Sequence, residues 1–126
     1  APAGVVFEVV QGQRTALDWA VPLIGDYAQR LRERFPDLPI AVVTHGAEQF
    51  ALTRSGADST PTLHGAVREL VQSQYIPVHV CGTHASWFEV TEEDFPDYVD
   101  VAPSAPAQIR AYRELGYELV LVSRPG

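Results

Sequence analysis

Four stretches of the chain are almost continuously apolar and rich in β-branched residues. They are Val5 to Val10 (VVFEVV), Ile40 to Thr44 (IAVVT), Ile76 to Cys81 (IPVHVC) and Tyr117 to Val122 (YELVLV). A strand covered on one face alternates apolar and polar residues, whereas one covered on both faces reads as an unbroken apolar run. These four are therefore expected to be buried strands of a parallel sheet. A buried helix would need a longer run with fewer β-branched residues.

Between the strands the apolar period becomes helical. From about Thr15 to Phe35, the residues Leu17, Val21, Ile24, Ala28 and Leu31 fall on one stripe. Pro22 and Gly25 lie inside that stretch and predict a kink or a short opening turn. Pro36 and Pro39 bracket the exit into the second strand. A second helix is expected from Pro61, a residue suited to a first helical position, with Thr60 as its cap and Leu63, Val67, Leu70 and Val71 as its stripe. Thr91-Glu92-Glu93-Asp94 has the form of a capped turn. A last helix follows Ser104, with Ile109, Tyr112 and Leu115 inward and Gly116 as its stop. The stretch from Ser55 to Thr60 reads as a polar loop, the region best suited to movement. A short further strand is expected near Tyr98 to Val101.

This alternation predicts a three-layer α/β/α sandwich around a mostly parallel sheet of about five strands. A length of 126 residues suits one domain spanning 1–126, and 46% hydrophobic residues are ample for its core. Nine basic residues, all Arg, stand against sixteen acidic ones, a net charge of -7. With no basic patch, a nucleic-acid partner is not expected. Arg30, Arg32 and Arg34 come closest to a cluster, and their place at a helix end favours the helix dipole. No apolar run approaches the roughly 20 residues that span a membrane. The absence of Met and the small residues Ala1-Pro2-Ala3-Gly4 suit either a trimmed tag or a removed signal peptide.

Ligands of open parallel sheets bind beyond the carboxyl ends of the strands. Gln11, Gln13 and Arg14 follow the first strand, His45 and Gly46 the second, and Cys81, Gly82, Thr83 and His84 close the third. A single cysteine excludes an internal disulfide framework and a multi-cysteine metal site within one chain. Gly82 lets backbone N–H groups come close to Cys81, and such donors with a nearby cation favour thiolate. His45, His84 and Arg14 are the candidate neighbours. A second reading is also open, in which Cys81 is a small buried hydrophobe and the histidines merely close loops. Cys81-x-x-His84 would make a metal site only if His45 or a second subunit supplied the remaining ligands, and no cofactor is implied. His79 is expected to point into a helix layer and His64 to lie on a helix surface, both structural. Trp87, Phe88, Phe95 and Tyr98 are too many aromatics for a short segment to bury, so an exposed patch and a homo-oligomer are expected. A lid packed on its own domain is the alternative.

Three stretches in this order resemble the DsrE/DsrF-like proteins, small α/β domains of sulfur oxidation and sulfur relay. They are Ile40-Ala41-Val42-Val43-Thr44-His45-Gly46, Val78-His79-Val80-Cys81-Gly82-Thr83, and the run from Val101-Ala102-Pro103-Ser104 through Ala107-Gln108-Ile109 to Leu115-Gly116-Tyr117. The chain departs from many relatives after Cys81-Gly82, where Thr83-His84-Ala85-Ser86-Trp87 stands in place of an early aliphatic residue. The resemblance implies a helix-covered parallel sheet, assembly as a trimer or hexamer, and sulfur donor and acceptor proteins as partners. It also implies that the cysteine matching Cys81 carries sulfur as a persulfide, as a sulfur carrier or sulfurtransferase. Gln11, Arg14, His45, Gly46, Gly82, Thr83 and His84 would then shape its pocket or stabilise its thiolate. A cytoplasmic location goes with the family, and a periplasmic one with a processed signal peptide. A non-catalytic oligomeric module that binds a small ligand or partner in the same cleft is the competing expectation.

Overall fold

The computed structural model describes residues 2–124, and Ala1 of the opening small-residue segment lies outside them. Five strands form one all-parallel sheet in the order β4-β3-β2-β1-β5. They are β1 (Gly4–Val9), β2 (Ile40–Thr44), β3 (Val78–Cys81), β4 (Asp100–Ala102) and β5 (Tyr117–Leu121). In register, Val9 lies opposite Thr44, Thr44 opposite Val80, and Cys81 opposite Ala102. The loops after β1, β2 and β3 therefore emerge side by side at one edge. The helices are α1 (Leu17–Arg34), α2 (Arg54–Ser59), α3 (Pro61–Arg68), α4 (Gly82–Ser86) and α5 (Ala105–Glu114). A 3₁₀ helix covers Ala47–Leu52, and a wider π turn, Glu69–Ser73, prolongs α3.

The two-residue repeat of the strands divides the core. One face carries Val5, Phe7, Val9, Ile40, Val42, Val78 and Val80 against the stripes of α1 and α3. The other carries Val6, Ala41, Val43 and Cys81 against Ala105 and Ile109 of α5. The α/β sandwich read from the sequence is what the chain forms, with every strand pair parallel. α1 continues through Pro22 to Arg34 after a short opening turn in which Ala16 N–H donates to Gln13 and Asp18 N–H to Thr15. The capping box at Thr91 forms with Asp94, and Ser104 caps α5 by accepting from Ala107 N–H. Gly116 ends α5 at φ +92°, a left-handed conformation that glycine adopts without cost to a side chain.

Several expectations are corrected. Ser55 to Thr60 is not a loop, because Arg54–Ser59 is helical and is capped by Thr53, whose hydroxyl accepts from Gly56 N–H. Thr60 stands at the N-cap of α3 as expected, but its hydroxyl makes no capping bond and donates backward to the Gly56 carbonyl at 2.7 Å. The third strand begins at Val78 rather than Ile76, after Pro77. β5 is an edge strand and is not covered on both faces: Leu121 is 64% exposed, beyond the cover of the single helix on its side. His64 is buried rather than on a helix surface. Its Nε2–H donates to the Ala51 carbonyl at 2.8 Å, leaving Nδ1 to accept from the Tyr98 hydroxyl.

His79 lies on the α5 face between two partners. Its Nδ1–H donates to Asp100 at 2.6 Å, and its Nε2 accepts from the Tyr112 hydroxyl at 2.7 Å. This chain ties α5 to β3 and β4. Burial raises the Tyr112 phenol above its ordinary 10.0, helped by Tyr117 and the Asp100 carboxylate. Burial raises Tyr98 likewise, against the opposing charges of Arg68 and Arg54. A phenol raised in the folded state keeps its proton where the unfolded chain has lost it. Its stabilising contribution is complete below the unfolded value and is lost as pH rises through the folded one.

Two expected outcomes test this account. Ile24→Ala, at a fully buried α1 position, should cost about 2–5 kcal/mol in urea unfolding, while Leu115→Ala, expected inward but 68% exposed past the end of α5, should change stability by no more than about 0.5 kcal/mol. Unfolding free energy should fall as pH rises past the ordinary phenol value of 10.0, with part of the phenolate absorbance appearing above it; a flat profile there would contradict the buried-phenol assignment.

Candidate functional site

The edge where the loops after β1, β2 and β3 meet is built on two buried polar side chains that the sequence reading passed over, Glu48 and Gln49. Both belong to the 3₁₀ helix after β2. The Glu48 carboxylate accepts from Gln11 N–H at 2.7 Å, Gly46 N–H at 2.8 Å and the Thr44 hydroxyl at 2.5 Å. It thereby joins the turn after β1 to the turn after β2. A buried carboxylate is tolerated where such donors replace water. Gly46 has to be glycine, since a Cβ there would lie 2.4 Å from the Glu48 carboxylate and 2.5 Å from the Gln11 backbone. The Gln49 amide spans to the next strand: its oxygen accepts from Cys81 N–H at 2.8 Å, and its nitrogen donates to the Cys81 carbonyl at 3.2 Å. A faint signal was available, an acid and an amide just past a strand-end glycine with no helical stripe to explain them.

Cys81 ends β3 on the α5 face. It is 5% exposed, yet it lines a cleft of about 380 Å³ together with His45, Thr83, His84 and Trp87. Its Sγ accepts two backbone N–H groups, each at 3.5 Å. One is His84 N–H, because Cys81 caps α4; the other is Ala105 N–H, the first residue of α5. Both donors come from helix starts, where N–H groups lack partners within the helix and the dipole favours negative charge. Sγ thus lies where the first turns of two helices converge.

The other expected site residues divide. Gly46 and Thr83 line the same cleft, and Gly82 opens α4 beside it. The Thr83 hydroxyl is engaged, donating to the Pro103 carbonyl at 2.7 Å. His45 lines the cleft, but its Nε2–H donates to Glu8 at 2.7 Å. His84 donates from Nδ1 to the His45 carbonyl at 2.8 Å, which leaves Nε2 as an acceptor. Its ring packs edgewise among Phe50, Trp87 and Phe88. Gln11 contributes its backbone, donating to Glu48 and accepting from Ala47. Arg14 does not line the Cys81 cleft. Its guanidinium donates to the Phe50 carbonyl at 3.1 Å and faces an adjoining cleft of about 490 Å³ that shares only the His84 wall. Among the described residues, no group of three or more His, Cys, Asp and Glu is placed to hold a metal ion, so His45, Cys81 and His84 do not form the metal site considered from sequence.

Of the four aromatics expected to crowd this region, Phe95 is buried and Tyr98 packs on the core. Trp87 and Phe88 stay outside, 72% and 62% exposed. No helix among the described residues is long and apolar enough to cross a membrane.

The chain is thus a parallel α/β sandwich with a thiol at the carboxyl end of its third strand. Comparison with models of known protein families and with curated proteins finds no match. Among solved structures the fold recurs. The chain is similar to MTH1491 from Methanobacterium thermoautotrophicum, a protein of unknown function, with a TM-score of 0.73 at 21% identity over 94% of this chain and 97% of that one. It is also similar to the ychN protein from E. coli, with a TM-score of 0.62 at 13% identity over 94% and 99% of the two chains. BT1422 from Bacteroides thetaiotaomicron, a conserved protein of unknown function, gives 0.59 at 14% identity over 93% and 94%. At these identities the likeness is one of fold.

Gln49→Leu tests the clamp. It should remove the side-chain partner of the Cys81 carbonyl and N–H, at about 1–3 kcal/mol for a buried group left without another bond, and should speed alkylation of Cys81 by a small reagent. Unchanged stability and unchanged alkylation would remove Gln49 from the support of the thiol.

Proposed function

We propose that this chain is a DsrE/DsrF-like sulfur carrier that holds sulfane sulfur as a persulfide on Cys81. The observation that carries the reading is the setting of Sγ, which lines a cleft at the carboxyl edge of the sheet and faces two backbone N–H donors. The order of the sequence motifs and the full-length likeness in fold to small α/β proteins support it.

The chemistry needs one thiol and no oxidant. The Cys81 thiolate attacks the outer sulfur of a donor persulfide R–S–SH. The donor S–S bond breaks, its electron pair leaves with RS⁻, and Cys81–S–SH forms. An acceptor thiolate then attacks the outer sulfur of Cys81–S–SH, and the Cys81 thiolate leaves. The two N–H groups serve both steps, because they stabilise the sulfur anion that enters the first and departs in the second. Gly46, Thr83 and His84 shape the pocket, Gly82 opens the helix that aims one donor, and His45 closes one wall. Arg14 and Gln11 act outside the cleft, one in the adjoining hollow and one through its backbone. The donor and acceptor are partner proteins in this reading, and the carrier is a trimer or hexamer. Exposed Trp87 on the wall of the cleft supports an interface there.

The burial of Cys81 favours a second reading, a non-catalytic module that binds a ligand or partner in the same cleft. One experiment separates the two. After incubation with polysulfide, intact-mass measurement should show the gain of one or more sulfur atoms on the wild type, removable by dithiothreitol, and none on Cys81→Ser. A wild type that gains no sulfur, or a Cys81→Ser variant that gains as much, would leave the binding-module reading.

A further inference from the structure

The cleft of about 490 Å³ beside the cysteine lies within the roughly 300–1,000 Å³ range of small-molecule sites. Its apolar walls are Phe50, Phe88 and Val90, with the two phenyl rings edge to face at 5.3 Å. Its polar groups are few: the Arg14 guanidinium, the hydroxyls of Thr53 and Ser55, and the His84 ring. Thr53 donates its proton to the Phe50 carbonyl at 3.1 Å, so its hydroxyl has no proton left for a ligand.

Arg14 is the feature that asks for an occupant. One of its five N–H donors goes to the Phe50 carbonyl, and it has no other hydrogen-bond partner among the described residues. No carboxylate pairs with it within 4.0 Å among them either. Asp18, which shares a small neighbouring hollow with it, is no exception. Arg14 is exposed, and Arg54 alone among the described arginines pairs with a carboxylate, so what distinguishes Arg14 is its place at the cleft. Its guanidinium is anchored to the backbone of the residue whose ring walls that cleft. A planar cation beside edge-to-face aromatics suits an apolar body ending in a planar anion, which a guanidinium binds through two parallel N–H donors.

We infer that the Arg14 cleft is a binding site for a small carboxylate with an aromatic or similarly apolar body, seated between Phe50, Phe88 and Val90 with its carboxylate on Arg14. The site does not depend on sulfur carriage by Cys81, although the shared His84 wall puts its occupant one ring away from the cysteine cleft.

The test is calorimetric titration with 3-phenylpropionate and its uncharged counterpart 3-phenylpropanol. Wild type and Cys81→Ala should bind the acid equally and saturably, and the alcohol about tenfold more weakly, the scale of one charge-assisted hydrogen bond. Arg14→Gln should bind the acid as weakly as the alcohol. Phe88→Ala, which removes a largely exposed ring and leaves the core intact, should weaken both probes. It keeps the test decisive should Arg14→Gln fail to fold. No saturable binding of the acid, equal binding of acid and alcohol, or full affinity in folded Arg14→Gln or in Phe88→Ala would overturn the inference. None of these results depends on whether Cys81 takes up sulfur.

Discussion

The carboxyl edge of this sheet depends on one constraint: three parallel strands end there, and the polar groups of their turns are removed from water. Backbone groups buried without partners are costly. Glu48 and Gln49 meet that demand from adjacent positions. The carboxylate collects donors from the turns after β1 and β2, and the amide pairs with both backbone groups of Cys81 on β3. The 3₁₀ helix that carries them thus joins three strand ends. Gly46 is the steric condition for it, because the carboxylate and the Gln11 backbone occupy the space a side chain would need.

That construction positions the cysteine. With its backbone held by Gln49, Cys81 caps α4 and meets the first N–H of α5, so its sulfur lies where two helix starts converge. At the far end of the same helix, Tyr112 reaches His79, two residues before Cys81 on the same strand. α5 is therefore tied to β3 at both ends, by a hydroxyl–imidazole contact at one and by the sulfur at the other. The geometry around Sγ comes from backbone and packing rather than from a charged side chain nearby. In an acidic chain this places donors at the sulfur without adding a cation that the many carboxylates could pair with.

The fold was largely legible in the sequence because its signals are local. Continuous apolar runs marked β1, β2 and β3, and helical stripes marked α1, α3 and α5. What was missed is short or decided at a distance. β5 resembled a central strand, yet it lies at the edge, where one helix covers only part of it. α2 read as a loop because its small polar residues carry no apolar stripe, and its start is fixed by the Thr53 cap. His64 carries a polar ring inside a helix stripe, and its burial depends on hydrogen-bond partners from two remote segments, the Ala51 carbonyl and the Tyr98 hydroxyl.

The sequence by itself determined the sheet, its parallel sense, and the presence of Cys81, Gly82 and His84 at a strand end, because residue type and period act within a few positions. The tertiary structure alone decided what surrounds the thiol. Ala105 N–H reaches the sulfur from twenty-four residues away, Gln49 holds the Cys81 backbone from thirty-two, and Arg14, expected beside the thiol, faces a separate cleft. Those distances along the chain are closed only by the order of the strands, and no local pattern encodes which loops that order brings together.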